Sequence, residues 1–290
     1  MAVKDNVAEL IRAGDEIALA SRAKEQPEQF DDKHWFAAVR TGKLGICRAL
    51  VAAGLTPMKT RFDRAPLHFA ASSHKEEIIQ WLLELGADPN LQDSDGYKPL
   101  DLAFEFHESE PSPELVETLA KAGTEITVWT SVRMGDLNRC KALIEKSPYL
   151  LQAFSDEIAL TPLMVAARMN RLEMAQFLIA SGADVNAVST KQGDGMGGNA
   201  PLWYAAQGSR TGREPIVELL LRNGAQVDFA GELGWTALHM AAQWNHPNVA
   251  RILIENGAEI ERLDDEGSPP MKIAQKHDSR DMMGLLSKLS

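Results

Sequence analysis

The sequence predicts an all-α solenoid of about seven to eight stacked helix–turn–helix repeats, joined by short loop or hairpin fingers. Three observations predict it. First, one sentence is spelled again and again: WTALHMAAQWNHPNVARILIENGA (235–258) returns as APLHFAASSHKEEIIQWLLELGAD (65–88) and as LTPLMVAARMNRLEMAQFLIASGAD (160–184). Self-similarity at a period of roughly 33 residues marks a stacked array. Second, each copy holds a short helix, a break, an amphipathic second helix and a closing glycine. Third, the chain is 44% hydrophobic, yet its longest apolar runs are helix-length pieces such as IVELLL (216–221). Such runs can line a core but fall far short of the ~20 residues that span a bilayer.

Taken in order, residues 1–30 suggest one helix over VAELIRAGDEIALASRAK, closed by Pro27, that caps the array. The first clear repeat is HWFAAVRTGKLGICRALVAAGL (34–55), and the second covers 65–96 and ends in the turn-forming LQDSDG. The third begins YKPLDLAFEF (97–106) and ends LVETLAKAGTEI (115–126), with an acidic loop, HESEPSPE (107–114), between its helices. The fourth, VWTSVRMGDLNRCKALIEKSPYLL (128–151), has no TPLH start, and Ser147-Pro148 replaces Gly-Ala. It matches the first repeat instead, Val39–Leu44 against Val132–Leu137 and Cys47–Val51 against Cys140–Ile144. The array thus restarts near 126, giving a cap (1–30), a first sub-array (31–125) and a second (126–290), with altered curvature where they meet. In the fifth repeat (160–187) the exit loop VSTKQGDGMGGN (188–199) is enlarged: Gly182 to Leu202 takes 20 residues, where Gly86 to Leu100 takes 14. The sixth (200–226) carries a basic insertion around Arg210 and Arg213. The seventh is the opening stretch, and the eighth (268–290) has the more polar second helix of a terminal cap.

The repeated residues have local physical jobs. Thr161 and Thr236 cap helix N–H groups. Pro66, Pro99, Pro162 and Pro201 sit in first turns, where the missing N–H costs nothing. Paired alanines (70–71, 166–167, 205–206, 241–242) let helices approach closely. Gly86, Gly182, Gly224 and Gly257 end second helices in the left-handed conformation. The pattern TPLHxAA, an amphipathic LL, then GAD resembles the ankyrin repeat, and the GxLxxC[KR]AL form of repeats one and four resembles the opening repeat of such an array. The resemblance implies that the tetrad histidines, His68 and His239, make structural hydrogen bonds.

Candidate chemistry is thin. Gly193, Gly195 and Gly198 satisfy GxGxxG, but that fingerprint binds nucleotides only between a strand and a helix. GSRTG (208–212) lacks the central serine of a nucleophile elbow. The seven histidines form no HExxH, and no Cys/His cluster has zinc spacing. Cys47 and Cys140 fall at one small, apolar second-helix position of different repeats, so they read as buried thiols. No catalytic residue, cofactor or metal is expected. The formal charge of −11 argues against nucleic acid, which needs basic surface, and suits a protein partner with a basic surface. The N-terminus has no apolar signal-peptide core, so the cytoplasm is expected unless a signal was removed. No membrane partner is expected, and the chain is read as a monomer.

What remains is surface. The resemblance implies non-enzymatic protein recognition through the concave face and the loop tips. By position, the contact residues are the first-helix ends Arg40/Thr41, Ser72/Ser73, Arg133/Met134, Arg168/Met169 and Gln243/Trp244, with Arg64, Tyr97, Leu160 and Trp235 preceding the tetrads. Trp, Arg and Met are the composition of a binding hot spot. Trp81 and Trp203 read as packing residues. The chain holds no effector segment beside its repeats, and its single-use insertions (107–114, 188–199, 208–215) suggest one dedicated epitope. An inhibitor of immunity type is therefore expected. A scaffold with several partners is the alternative, and an enzyme or small-molecule receptor the alternative of a different class.

Overall fold

Asp15, Ser112, Thr127, Asp136 and the expected Thr161 each start a helix by accepting a first-turn N–H, whereas Thr236 Oγ1 meets the His239 ring at 2.9 Å. The computed structural model describes residues 6–58, 64–105, 111–155, 159–190, 197–208 and 213–289. They hold eighteen α-helices and no β-strand. The chain divides into two compact units, Met1–Ile126 and Thr127–Ser290.

The first unit contains α1 (Asn6–Ala13) and α2 (Glu16–Glu25), α3 (His34–Arg40) and α4 (Leu44–Ala52), α5 (Pro66–Ser72) and α6 (Glu76–Glu84), and α7 (Pro99–Glu105) and α8 (Pro113–Lys121). The second contains α9 (Val128–Met134) and α10 (Leu137–Lys146), α11 (Pro162–Arg168) and α12 (Leu172–Ala180), and α13 (Pro201–Ala205) and α14 (Glu214–Arg222). It ends with α15 (Ala237–Gln243) and α16 (Pro247–Glu255), then α17 (Pro270–Lys276) and α18 (Arg280–Leu286). In both units first helices pack on first helices (α3 on α5, α5 on α7, α11 on α13, α15 on α17), and second helices on second (α2 on α4, α14 on α16). This is the expected solenoid.

One expectation is corrected. Residues 6–25 form two helices, not one: Gly14 turns left-handed (φ 67°), and the Asp15 side chain caps the Ala18 N–H at 3.0 Å. The resulting pair stacks on α3 and α4 like any other repeat. Pro27 does not close the helix but opens a 3-10 turn, Pro27–Gln29. Nine pairs thus stand among the described residues, one more than the upper expectation.

The core follows the repeat pattern. The paired alanines are fully buried, which is what lets first helices of neighbouring repeats approach. Leu67, Leu100, Leu163, Leu202 and Leu238, the tetrad leucines, are buried beside them, and Ile79, Cys47, Cys140, Ala175 and Ala250 fill the equivalent second-helix position. Trp203 is buried edge-to-face on Tyr204, as its packing reading requires, whereas Trp81 is only half-buried.

Three sets of polar ties join consecutive repeats, and two of them were not legible as such in the sequence. The tetrad's fourth residue reaches the next finger: His68 Nε2 donates to the Tyr97 carbonyl and His239 Nε2 to that of Ser268, both at 3.1 Å. Trp129 fills the same register and substitutes its indole N–H, 2.8 Å from the Leu160 carbonyl. A second set uses side-chain amides. Asn90, Gln152 and Asn186 each donate to the carbonyl of the glycine ending the next repeat (Gly123, Gly182, Gly224) and accept a backbone N–H two residues further on. The third set runs backwards. The residue starting a second helix donates to the end of the preceding first helix: Lys43 to Gly14, Arg171 to Arg133, His246 to Gly208 and Ser279 to Gln243. Cations at a helix C-terminus also meet the negative end of its dipole.

Arg213 is the strongest case of this third set. Read from sequence as part of a basic insertion, it is 2% exposed, and its guanidinium donates to the carbonyls of Ala205 (3.1 Å), Arg168 (3.2 Å) and Ala167 (3.4 Å). Its neighbour Arg210, the GSRTG serine and half of each of the 107–114 and 188–199 insertions lie outside the described residues, as do Gly193 and Gly195.

Candidate protein-binding surface

Two fingers share one turn. Asp93 accepts the backbone N–H groups of Asp95 and Tyr97 on Oδ1, and its own N–H donates to the Tyr97 carbonyl at 3.0 Å. Asp264 repeats this with Glu266 and Ser268. The residue preceding a tetrad then reaches the carboxylate of the next finger. Arg64 Nε lies 2.7 Å from Asp93 Oδ2, with Nη2 3.2 Å from Asp95, and Trp235 Nε1 lies 3.1 Å from Asp264 Oδ2. Trp235 also stacks on His239, ring centroids 6.1 Å apart. Arg64, Tyr97 and Trp235 are therefore half-buried and serve inter-repeat ties with one edge exposed. Arg64 and Tyr97 meet through Asp93.

Three histidines favour the neutral form, His68 and His239 beneath these fingers and His246 at the start of α16. Burial is the largest influence and lowers the pKa of His68, His239 and His246; carboxylates at Asp93, Asp264 and Glu214 pull the other way without prevailing. In both tetrads Nδ1 accepts the N-cap backbone N–H at 3.2 Å, from Ala65 and from Thr236, so the proton sits on Nε2. Met164 fills the same place with its sulfur 3.4 Å from the Thr161 N–H. Both cysteines are buried free thiols, with Cys47 pushed up to about 12 by burial.

The first-helix ends divide by depth. Arg40 is exposed, its guanidinium 5.4 Å from the ring centre of Phe36, which is itself 47% exposed and edge-on to Phe69 at 5.2 Å. Met134, Arg168, Gln243, Ser72 and Ser73 are half-buried, and Trp244 is 39% exposed at the end of α15. Three expected contacts are corrected: Arg133 (1% exposed), Leu160 (3%) and Met169 (5%) are interior. Repeat register fixes where a side chain starts, but depth depends on what stands beside it, which a single repeat does not encode. Leu160 uses its carbonyl to receive Trp129, and Met169 fills apolar space at the end of α11. The Phe36–Phe69 pair escaped the sequence reading because Phe36 occupies the register of a buried tetrad histidine.

Among the described residues no cluster of His, Cys, Asp or Glu could hold a metal ion, and no helix is long and apolar enough to cross a membrane. Stacked helix pairs that spend their polar groups on one another, with helix ends and finger tips outside, define a repeat solenoid. The ankyrin repeat family matches residues 7–93, 34–130 and 202–289 as three copies, and 160–190 as a further repeat. The chain belongs to the ankyrin repeat family. Ankyrin repeats form protein–protein interaction modules and are generally non-enzymatic scaffolds. The chain is 29% identical to the putative palmitoyltransferase ZDHHC13 of Danio rerio over 84% of its own length but 32% of that protein's. It is 25% identical to the B-cell lymphoma 3 protein homolog of Mus musculus, over 90% of this chain and 51% of the other. A 115-residue stretch is 34% identical to the ankyrin repeat and KH domain-containing protein mask-1 of Caenorhabditis elegans. The chain thus spans about a third to a half of the first two relatives.

Proposed function

We propose that this chain recognises one dedicated protein partner through the ends of its first helices and its finger tips, and antagonises that partner. The observation that supports this reading is Trp244: an indole 39% exposed, at the end of a first helix, flanked by the half-buried Gln243. Exposed tryptophan is the residue most enriched among binding anchors. Arg40, Arg168 and Met134 are the further contacts of the proposal. Arg64, Tyr97 and Trp235 contribute their exposed edges. In this reading the chain is a cytoplasmic monomer without catalysis, cofactor, nucleic acid or membrane ligand, and its charge of −11 favours a partner with a basic surface. The palmitoyltransferase activity named for one relative is not carried over, since the chain spans only 32% of that protein.

The test is affinity capture from native lysate with the purified chain and its Trp244→Ala variant, read by mass spectrometry. One stoichiometric partner that is lost with Trp244→Ala, from a variant with an unchanged melting temperature, supports the antagonist. Many weak partners indifferent to Trp244 refute it in favour of a general scaffold.

A further inference from the structure

Two leucines of the second unit stand in water, one at a finger tip and the other just ahead of the next finger. Leu233 is 56% exposed and Leu263 57%. Aligned on their closing hydrogen bonds (Asp93 to Tyr97, Gly231 to Trp235, Asp264 to Ser268), the three five-residue fingers hold Asp95, Leu233 and Glu266 at the same tip position. Two of the three carry an exposed carboxylate, and Leu233 replaces it with an apolar side chain on left-handed backbone (φ 67°), a conformation that costs any residue but glycine. The two tips are tied: the Asp265 N–H donates to the Leu233 carbonyl at 3.0 Å, and the Trp235 indole is fixed on Asp264 beneath. Leu233 is thus held against the segment that carries Leu263 two residues before the tie, and the same finger is anchored by the Trp235 indole.

Its surroundings have one sign. Between 259 and 266 five carboxylates face a single guanidinium, and that one, Arg262, is paired with Glu259 at 3.5 Å. Glu261, Asp265 and Glu266 are exposed, with no cation paired to them among the described residues, while Asp264 is spent on the turn. Exposed apolar side chains on a segment rich in carboxylates complement one chemistry: a segment that presents an apolar residue flanked by lysine or arginine.

We propose that the finger tip at Leu233 and the adjoining segment that starts at Leu263 are the docking site for a cationic, amphipathic segment of the partner protein. This rests on the protein-recognition reading above but uses a surface other than Trp244. The test is fluorescence anisotropy with the full chain and a fluorescein-labelled leucine–lysine peptide written as an amphipathic helix, with a leucine–glutamate counterpart as control. The leucine–lysine peptide is expected to bind saturably, more weakly at high salt. Leu233→Asn, which suits left-handed backbone and so preserves the turn, should weaken it about tenfold. Asp265→Asn with Glu266→Gln should weaken it as well, and the glutamate peptide should not bind. Absent binding, binding unchanged by Leu233→Asn, or equal binding of the glutamate peptide overturns the proposal. If the peptide fails while partner capture remains sensitive to Trp244→Ala, only this inference falls. If the peptide binds but nothing is captured, this site stands and the antagonist reading falls.

Discussion

Replacing Arg213 by methionine probes the ties between repeats most directly. Methionine keeps the aliphatic bulk and removes every donor. The contact to Ala167 at 3.4 Å is long and counts for little, which leaves two good bonds, to Ala205 at 3.1 Å and Arg168 at 3.2 Å. A hydrogen bond from a charged donor contributes about 1.5–3 kcal/mol, so the two together supply roughly 3–6 kcal/mol. Burying the guanidinium costs several kcal/mol, an offset that vanishes with the charge. The carbonyls left behind close the ends of α11 and α13 and have little access to water. The net loss is about 2–3 kcal/mol, or roughly 5–10 °C in melting temperature for a unit of this size. Arg213→Lys, a single point cation without the planar fork, should lose about half as much. Urea unfolding followed by circular dichroism reads the total, and amide exchange locates it. Because repeat arrays are coupled chiefly to nearest neighbours, lost protection should concentrate in α11, α13 and α14. Arg213→Met within about 0.5 kcal/mol of the parent, the range of ordinary surface changes, would refute the staple and return Arg213 to the solvated insertion.

Three further outcomes follow from the same contacts. Trp235→Phe removes the N–H held by Asp264 but keeps the ring over His239, and should cost about 1.5–2 kcal/mol in urea unfolding; an unchanged midpoint would make Trp235 a pure surface residue. Stability should fall in mild acid. Burial holds His68, His239 and His246 below their ordinary 6.5, so the unfolded chain binds protons that the folded one refuses. Their contribution is complete above pH 6.5 and is lost as the pH drops below it toward the lower folded values, and a urea midpoint independent of pH between 8 and 5 would contradict this. Finally, Cys47 and Cys140 should resist a thiol reagent at pH 8 in the native chain and both react after denaturation. Rapid native labelling would show that the second helices open readily.

The sequence by itself determined the repeat. Proline at a first turn, paired alanines and a glycine after a helix act within one repeat, and period and pattern place them before any coordinate is known. It also determined that the tetrad histidines are structural, since a resemblance transfers a role along with its register. The N-terminal pair escaped because Gly14 reads as a minor interruption until Asp15 is seen capping the next helix. Only the tertiary structure decided what lies between repeats. Asn90, Gln152, Asn186, Arg171 and Arg213 look like ordinary loop polars, and each has a partner in a neighbouring repeat some 30 to 45 residues away, further than local propensity reaches. Depth was decided there too. Arg40 and Arg133 share a register and a residue type, yet one is exposed and the other buried, because solvent access belongs to the neighbours of a side chain and not to the side chain.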